Sequence, residues 1–133
     1  RNKKVKKSYL AILYGSIPLN EGTLDHDLVF KVKNQMKTFK AETDFSVLSK
    51  NKDFSYVEVT PITGRKHQIR QQFFKVNHPI VGDGKYEIPH YVNKNKFLML
   101  HSYKITFYDK GKEKTFKVEP PKEFKNFLKK SNL

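Results

Sequence analysis

The sequence predicts one α+β domain dominated by antiparallel β-sheet, with two short helices. Three observations lead to that class. Runs rich in β-branched and aromatic residues recur along the chain, each bounded by a polar or glycine-containing turn. Only two segments, near residues 67–76 and 120–130, change to helical spacing. The 133 residues include 11 phenylalanines and 7 tyrosines, enough for one largely aromatic core and too short a chain for two cores. No internal repeat and no low-complexity linker divides residues 1–133.

Taken in order, "KKSYLAILYG" sets Tyr9, Ala11 and Leu13 against Leu10, Ile12 and Tyr14 and stops at Gly15, the pattern of a strand buried on both faces. "SIPLNEGTL" reads as a loop and "DHDLVFKVK" as a strand. "FKAETDFSVLSK" and "FSYVEVTPI", joined by the polar turn "NKD", form an antiparallel hairpin. In "HQIRQQFFKV", Ile69, Phe73 and Val76 fall at i, i+4 and i+7 and give a helix one apolar face, with His67, Arg70, Gln71 and Phe74 as the neighbouring stripe. That helix is expected to stop near Asn77, a residue that tolerates a left-handed cap, ahead of Pro79. "VGDGKY" is a glycine-bracketed turn in which Asp83 serves as a turn former rather than an acid catalyst. "KFLMLHSYKITFY" and "KEKTFKVE" pair across "DKGK". "PPKEFKNFLKK" opens a last helix on its prolines, with Phe124, Phe127 and Leu128 packed on the sheet and a lysine face in solvent.

Lysine and arginine number 27 against 13 aspartates and glutamates, a net charge of +14. Such a chain is drawn to polyanions, and interleaved aromatic and polar side chains make nucleic acid the anion that best suits it. The bland alternative is that the lysines only keep the surface soluble. No run approaches the roughly 20 apolar residues of a transmembrane helix, and "RNKKVKKSYL" lacks the apolar stretch of a secretory signal, so a cytoplasmic protein is expected. With no cysteine, and with His26, His78, His90 and His101 outside any ligand spacing, no metal site is expected.

Of the 27 basic residues, 24 are lysines; the arginines are Arg1, Arg65 and Arg70, and the last two lie inside "TGRKHQIR", residues 63–70. Lysine suffices for loose attraction to phosphate, whereas a planar fork making two parallel bonds cannot be replaced by it. The bias points to geometry, against the alternative of two solvated arginines placed by chance. Gly64 allows close backbone approach at the strand-to-helix turn, and unpaired amides at the helix start favour an anion. Arg65 sits in that turn within reach of a phosphate. Arg70, beside Ile69 and with the sheet behind it, is expected to be partly buried and therefore paired with a carboxylate.

"TPITGRKHQIR", then "NHPIVGDGKY", then "LMLHSYKITF" resemble the motifs of the RluA-type family of RNA pseudouridine synthases. The first is similar to T-G-R-x-H-Q-I-R, the second to G-H-P-I-x-G-D-x-x-Y with Asn77 for the glycine, and "LHS" to L-H-A. "KKSYLAILYG" is similar to K-x-Y-x-A-x-V-x-G, and "FKAETDFSVL" to G-K-x-A-x-T-x-x-x-V-L. The blocks run in family order from about Lys6 to "FKVEPPKEF", and the ordered set is specific where each alone is not.

The resemblance implies part of a pseudouridine synthase catalytic domain and cofactor-free isomerisation of uridine in ribosomal or transfer RNA, with an aspartate as nucleophile or base at the ribose. It implies catalytic roles for Tyr9, which contacts the uracil and is the candidate for taking its C5 proton, and for Arg70, the ion-pair partner of the aspartate. Arg65, Lys66, His67 and Gln68 fall where RNA is contacted, and Ile69 and Leu100 where the uracil pocket is walled. The family's H-R-L-D-x-x-T-S-G motif, which precedes K-x-Y-x-A, is not present; Asp25 in "TLDHDL" comes after the tyrosine and reads as a loop carboxylate. The chain is accordingly expected to be the C-terminal part of a catalytic domain and inactive alone, Arg70 being the partner of a carboxylate it does not contain. The alternative is a non-catalytic RNA-binding module. A fragment with an uncovered sheet edge also invites self-association, which light scattering at several concentrations checks.

Overall fold

The fold is built outward from one buried strand, β1 (Lys6–Tyr14), in a computed structural model that describes residues 5–91 and 95–133. Leu10, Ala11, Ile12 and Leu13 are 0–3% exposed, as the two-sided apolar pattern requires. β1 lies fourth in a six-stranded, wholly antiparallel sheet of order β2-β5-β6-β1-β7-β8. Its members are β2 (Glu21–Leu24), β5 (Thr43–Lys50), β6 (Phe54–Pro61), β7 (Leu100–Asp109) and β8 (Lys112–Lys117). A separate ribbon pairs β3 (Leu28–Val32) with β4 (Gln35–Phe39).

The two helices cover opposite faces. Tyr9 pairs with Val59 and Val59 with Phe45, and Phe45 meets Phe73 of α1 (Gln68–Lys75) edge-on at 5.6 Å. Ile12 pairs with Tyr56, which meets Phe124 of α2 (Lys122–Lys130) at 6.0 Å. Since alternate strand residues face opposite ways, Tyr9, Ala11 and Leu13 look toward α1, and Leu10, Ile12 and Tyr14 toward α2. Phe73 and Phe124 are fully buried, one for each helix.

α1 ends as its sequence predicts. Asn77 is left-handed (φ 69°), its amide donates to Phe74 O (3.1 Å) and the His78 amide to Phe73 O (2.9 Å), the two bonds of a Schellman cap. The expected hairpins β5–β6 and β7–β8 are both present. The former turns on Asn51, whose side-chain oxygen accepts the amides of Asp53 and Phe54; the latter on Lys110 and Gly111, both at positive φ.

Two expectations are corrected. The stretch read as a loop, "SIPLNEGTL", contains β2, a four-residue strand in which Gly22 breaks any visible pattern. "FKAETDFSVLSK" is two strands, not one: Phe39 closes β4, and β5 begins at Thr43. The signal for the extra hairpin was Lys33-Asn34, a two-residue turn with both residues left-handed (φ 49° and 67°).

The segment after α1 is stitched back onto β1. Tyr14 N donates to Pro79 O (2.9 Å) and Val81 N to Ile12 O (2.9 Å), while Ile12 N donates to Met99 O (3.0 Å) and Met99 N to Val81 O (2.9 Å). Opposite β1, the register of β7 slips by one residue at Tyr103, between the Ser8–Lys104 and Tyr9–Ser102 pairs. β8, exposed along its whole length, is a sheet edge among the described residues. Among the same residues no helix is long and apolar enough to cross a membrane.

Candidate active site

The turn between β6 and α1 is shaped from inside by a glutamine. Gln68 is 4% exposed, and its carboxamide oxygen accepts the Thr63 hydroxyl (2.7 Å) and the Arg65 amide (3.0 Å). Its nitrogen donates to Glu42 O (2.8 Å) and Thr43 Oγ1 (2.7 Å). Thr43 donates onward to Gln72 Oε1 (2.6 Å), and Gln72 Nε2 to the carbonyls of His26 and Ala41. A buried amide with all its bonds made is a brace, so the expectation that Gln68 reaches out to RNA is corrected: it fixes the loop that other residues ride on. The helix start is likewise closed from within, the Gln68 amide donating to Arg65 O (3.1 Å), instead of held open for an anion. Gly64 needs no close approach within the chain, since a Cβ there would meet nothing within 4 Å.

Arg65 projects from this turn over the Phe39 ring (5.3 Å) with Nε donating to Lys40 O (3.0 Å), so the β3–β4 ribbon steadies it. Lys66 is exposed on the outside of the turn. His67 takes the left-handed conformation (φ 52°) ahead of α1, and its Nδ1 lies 3.1 Å from the Tyr86 hydroxyl. Burial of the ring, then the charges of Arg70, Lys85 and Lys66, hold its pKa below the ordinary value against the opposing pull of Asp83. It is neutral at pH 7, able to donate or accept a hydrogen bond but adding no charge.

One turn of helix further on, Arg70 makes a two-pronged pair with Asp83: Nε to Oδ2 at 2.9 Å and Nη2 to Oδ1 at 2.8 Å. The sequence leads one to expect a carboxylate partner for this partly buried guanidinium, and one such carboxylate lies within the chain. Part of its fork is answered by Asp83, which the sequence marked only as a turn former and which does form the turn, accepting the amides of Lys85 (3.0 Å) and Tyr86 (3.2 Å). Burial pushes the Asp83 carboxyl up, but the Arg70 fork and the two amides together outweigh it and hold the pKa below the usual carboxylate range. Arg70 is raised in turn, first by its bond to Asp83.

The sign of the linkage follows. A carboxylate with a lowered folded pKa contributes stability that is present above the unfolded value, about 4, and is lost as pH falls through the folded one. The gap in urea midpoint between the native chain and Asp83→Asn is therefore expected to be full at pH 6 and to shrink below about pH 4; a gap independent of pH would show that the ion pair does not carry it.

Beside these residues opens a cleft of about 670 Å³. Tyr9 and Lys7 of β1, Ile69 and Arg70 of α1, and Leu100 at the start of β7 line it, with Leu98 beside them and Gly64, Arg65, His67 and Gln68 along the turn. Seven of the eight site residues expected from sequence thus meet in one place, and Lys66 alone lies off the lining. Among the described residues no carboxylate lines the cleft, and no cluster of histidines and acids could hold a metal ion. The residues that sequence reasoning passed over are Asp83 and Tyr86, whose ring the Arg70 guanidinium overlies at 5.4 Å; their signal was "GDGKY" itself, with a tyrosine three positions after the aspartate.

Aliphatic walls, a phenol, a tethered guanidinium and a cationic rim thus meet in one cleft. The pattern of the RNA pseudouridylate synthase family matches residues 1–75, a span that holds Tyr9, Arg65 and Arg70 but stops short of Asp83 and Leu100. The dual-specificity RNA pseudouridine synthase RluA of Yersinia pestis is 36% identical over 129 residues, covering 90% of this chain and 63% of that protein. Ribosomal large subunit pseudouridine synthase C of Buchnera aphidicola is 34% identical over 145 residues, covering 97% of this chain and 46% of that one. Among solved structures, human RNA pseudouridylate synthase domain containing 1 superposes with a TM-score of 0.76 at 25% identity, over 88% of this chain and 55% of the human one. The chain belongs to the RNA pseudouridylate synthase family, and it spans about half to two thirds of the length of the curated relatives it matches.

Proposed function

We propose that the protein converts uridine to pseudouridine in ribosomal or transfer RNA. The observation that carries this reading is the convergence of Tyr9, Ile69, Arg70 and Leu100, from three separate elements, on one cleft of a chain in this family. The reaction breaks the bond between N1 and the ribose C1′, turns the uracil and joins C1′ to C5; the C5 proton leaves and N1 gains one, so neither oxidant nor cofactor is consumed. Ile69 and Leu100 provide apolar walls for a base taken out of its stack. Tyr9 is the group for the C5 proton. Arg70 orients the carboxylate that works at the ribose, which is supplied from outside residues 1–133. Arg65, Lys66 and His67 meet the phosphates and sugars on either side, and the substrate places the protein in the cytoplasm.

The test uses the protein expressed from its complete reading frame, with pseudouridine mapped chemically on ribosomal and transfer RNA. The native protein forms it; Tyr9→Phe binds the RNA within about threefold of native and forms it at least about 100-fold more slowly, the size of effect expected of a proton-transfer group. The isolated 133-residue chain forms none but binds RNA with an affinity that falls steeply from low to moderate salt. Salt-dependent binding with no product from the complete protein would overturn the catalytic reading in favour of a binding module.

A further inference from the structure

Asp83 is more fully engaged than a turn requires. Capping the turn uses one oxygen, for the amides of Lys85 and Tyr86. The carboxylate also spans Arg70 with both oxygens while only 1% exposed. Its base is rigid, because Val81 is bonded to Ile12 of β1 and to Met99, and Gly82 at φ +86° is pressed so close to the Phe97 carbonyl that a Cβ would lie 1.9 Å from that oxygen. Tyr86, held by the same turn, supplies the ring beneath the guanidinium and the hydroxyl beside His67 Nδ1. Arg70 therefore has Nε and Nη2 fixed from behind by a turn stitched to the strand that carries Tyr9, and it lines the cleft.

We propose that Asp83 is a positioning residue of the isomerisation: it locks the plane of the Arg70 guanidinium so that the remaining nitrogen, Nη1, is presented to the carboxylate working at the uridine ribose. This rests on the function proposed above. An arginine side chain left to itself samples many rotamers and must be ordered each time a substrate arrives; holding the fork beforehand removes that cost from the reaction. The competing explanation, that Asp83 only stabilises its turn, is separable. Asparagine at 83 keeps the volume and the oxygen that caps Lys85 and Tyr86, but offers one acceptor and no charge to the fork.

In the protein expressed from its complete reading frame, Asp83→Asn is expected to lower kcat about 10- to 100-fold while KM for the RNA stays within about threefold, with Asp83→Glu recovering part of the loss. Adding Asp83→Asn to Arg70→Lys is expected to cost little more than Arg70→Lys alone, since both act on one unit. A second readout needs no turnover. In the complete protein the Arg70 Nε–H signal, assigned by nitrogen-15 NMR through its disappearance in Arg70→Lys, is expected to be protected from solvent exchange and to lose that protection in Asp83→Asn while the backbone amides keep their dispersion. An active native protein whose Asp83→Asn variant retains kcat within about twofold, or an unchanged Arg70 signal, overturns this inference alone. A native protein that forms no pseudouridine overturns the functional reading and this inference with it.

Discussion

Arg70→Lys is expected to reduce pseudouridine formation by about 10²- to 10³-fold, the loss seen when a preorganised electrostatic contact is removed from an active site. The charge is kept, so the effect reads geometry. The guanidinium joins Asp83 through two parallel bonds and lies over Tyr86, and a lysine ammonium can meet one Asp83 oxygen but cannot also turn a second edge toward the cleft. The buried Asp83 would also lose half of its pairing, at a stability cost of about 1–3 kcal/mol. Lys66→Ala is the contrast. Lys66 is exposed and off the cleft lining, so its loss is expected to weaken RNA binding slightly and evenly across sequences, reducing the salt slope by about one. Equal activity losses in the two variants, measured by chemical mapping, would refute the distinction between the two basic residues.

The largest stability effect is expected at Gly82. Its φ of +86° lies where side chains are strained, and an added Cβ would stand 1.9 Å from Phe97 O and 2.5 Å from its carbon, both backbone atoms that cannot swing aside. Gly82→Ala is expected to destabilise the fold by about 3–4 kcal/mol in urea unfolding, among the larger effects of a single substitution. In the complete protein it should also slow the reaction, because the same displacement moves Asp83 and hence Arg70. Gly84, two residues on, has nothing within 4 Å of a built Cβ and no positive φ, and Gly84→Ala is expected to stay within about 0.5 kcal/mol of native. Similar midpoints for the two variants would show that the turn is soft.

Much of this architecture was written locally. The continuous apolar run of β1, the i, i+4, i+7 spacing of Ile69, Phe73 and Val76, and the Asn77 stop before Pro79 each follow from short-range chemistry, and each is found in place. β2 was not legible because its four residues, one of them glycine, become a strand by bonding to β5 and carry no pattern of their own. The site divides along the same line. Arginine scarcity pointed to a bonded fork at Arg70, but naming its partner required knowing that the turn after α1 folds back on β1, which is tertiary information. Gln68 misled for a related reason: a polar residue in a basic motif suggests outward contact, and only the strand neighbours Glu42 and Thr43 show that it points inward.

The one-residue slip at Tyr103 decides the parity of β7. Before it, even-numbered residues share a side with Tyr9, through Leu100 and Ser102; after it, Ile105 lies opposite Lys7, and odd-numbered residues take over. Ile105, Phe107 and their β8 neighbour Phe116 therefore turn to the same side as the cleft, the two rings stacked 5.8 Å apart and Phe116 57% exposed. Without the slip, Lys104 and Thr106 would stand there instead, and Glu58, which pairs with Lys104 at 3.4 Å, would lose its partner. A single backbone irregularity thus sorts grease from charge along half a strand: the one extra residue, Tyr103, is what sets Ile105 and Phe107, and not Lys104 and Thr106, on the side of the cleft.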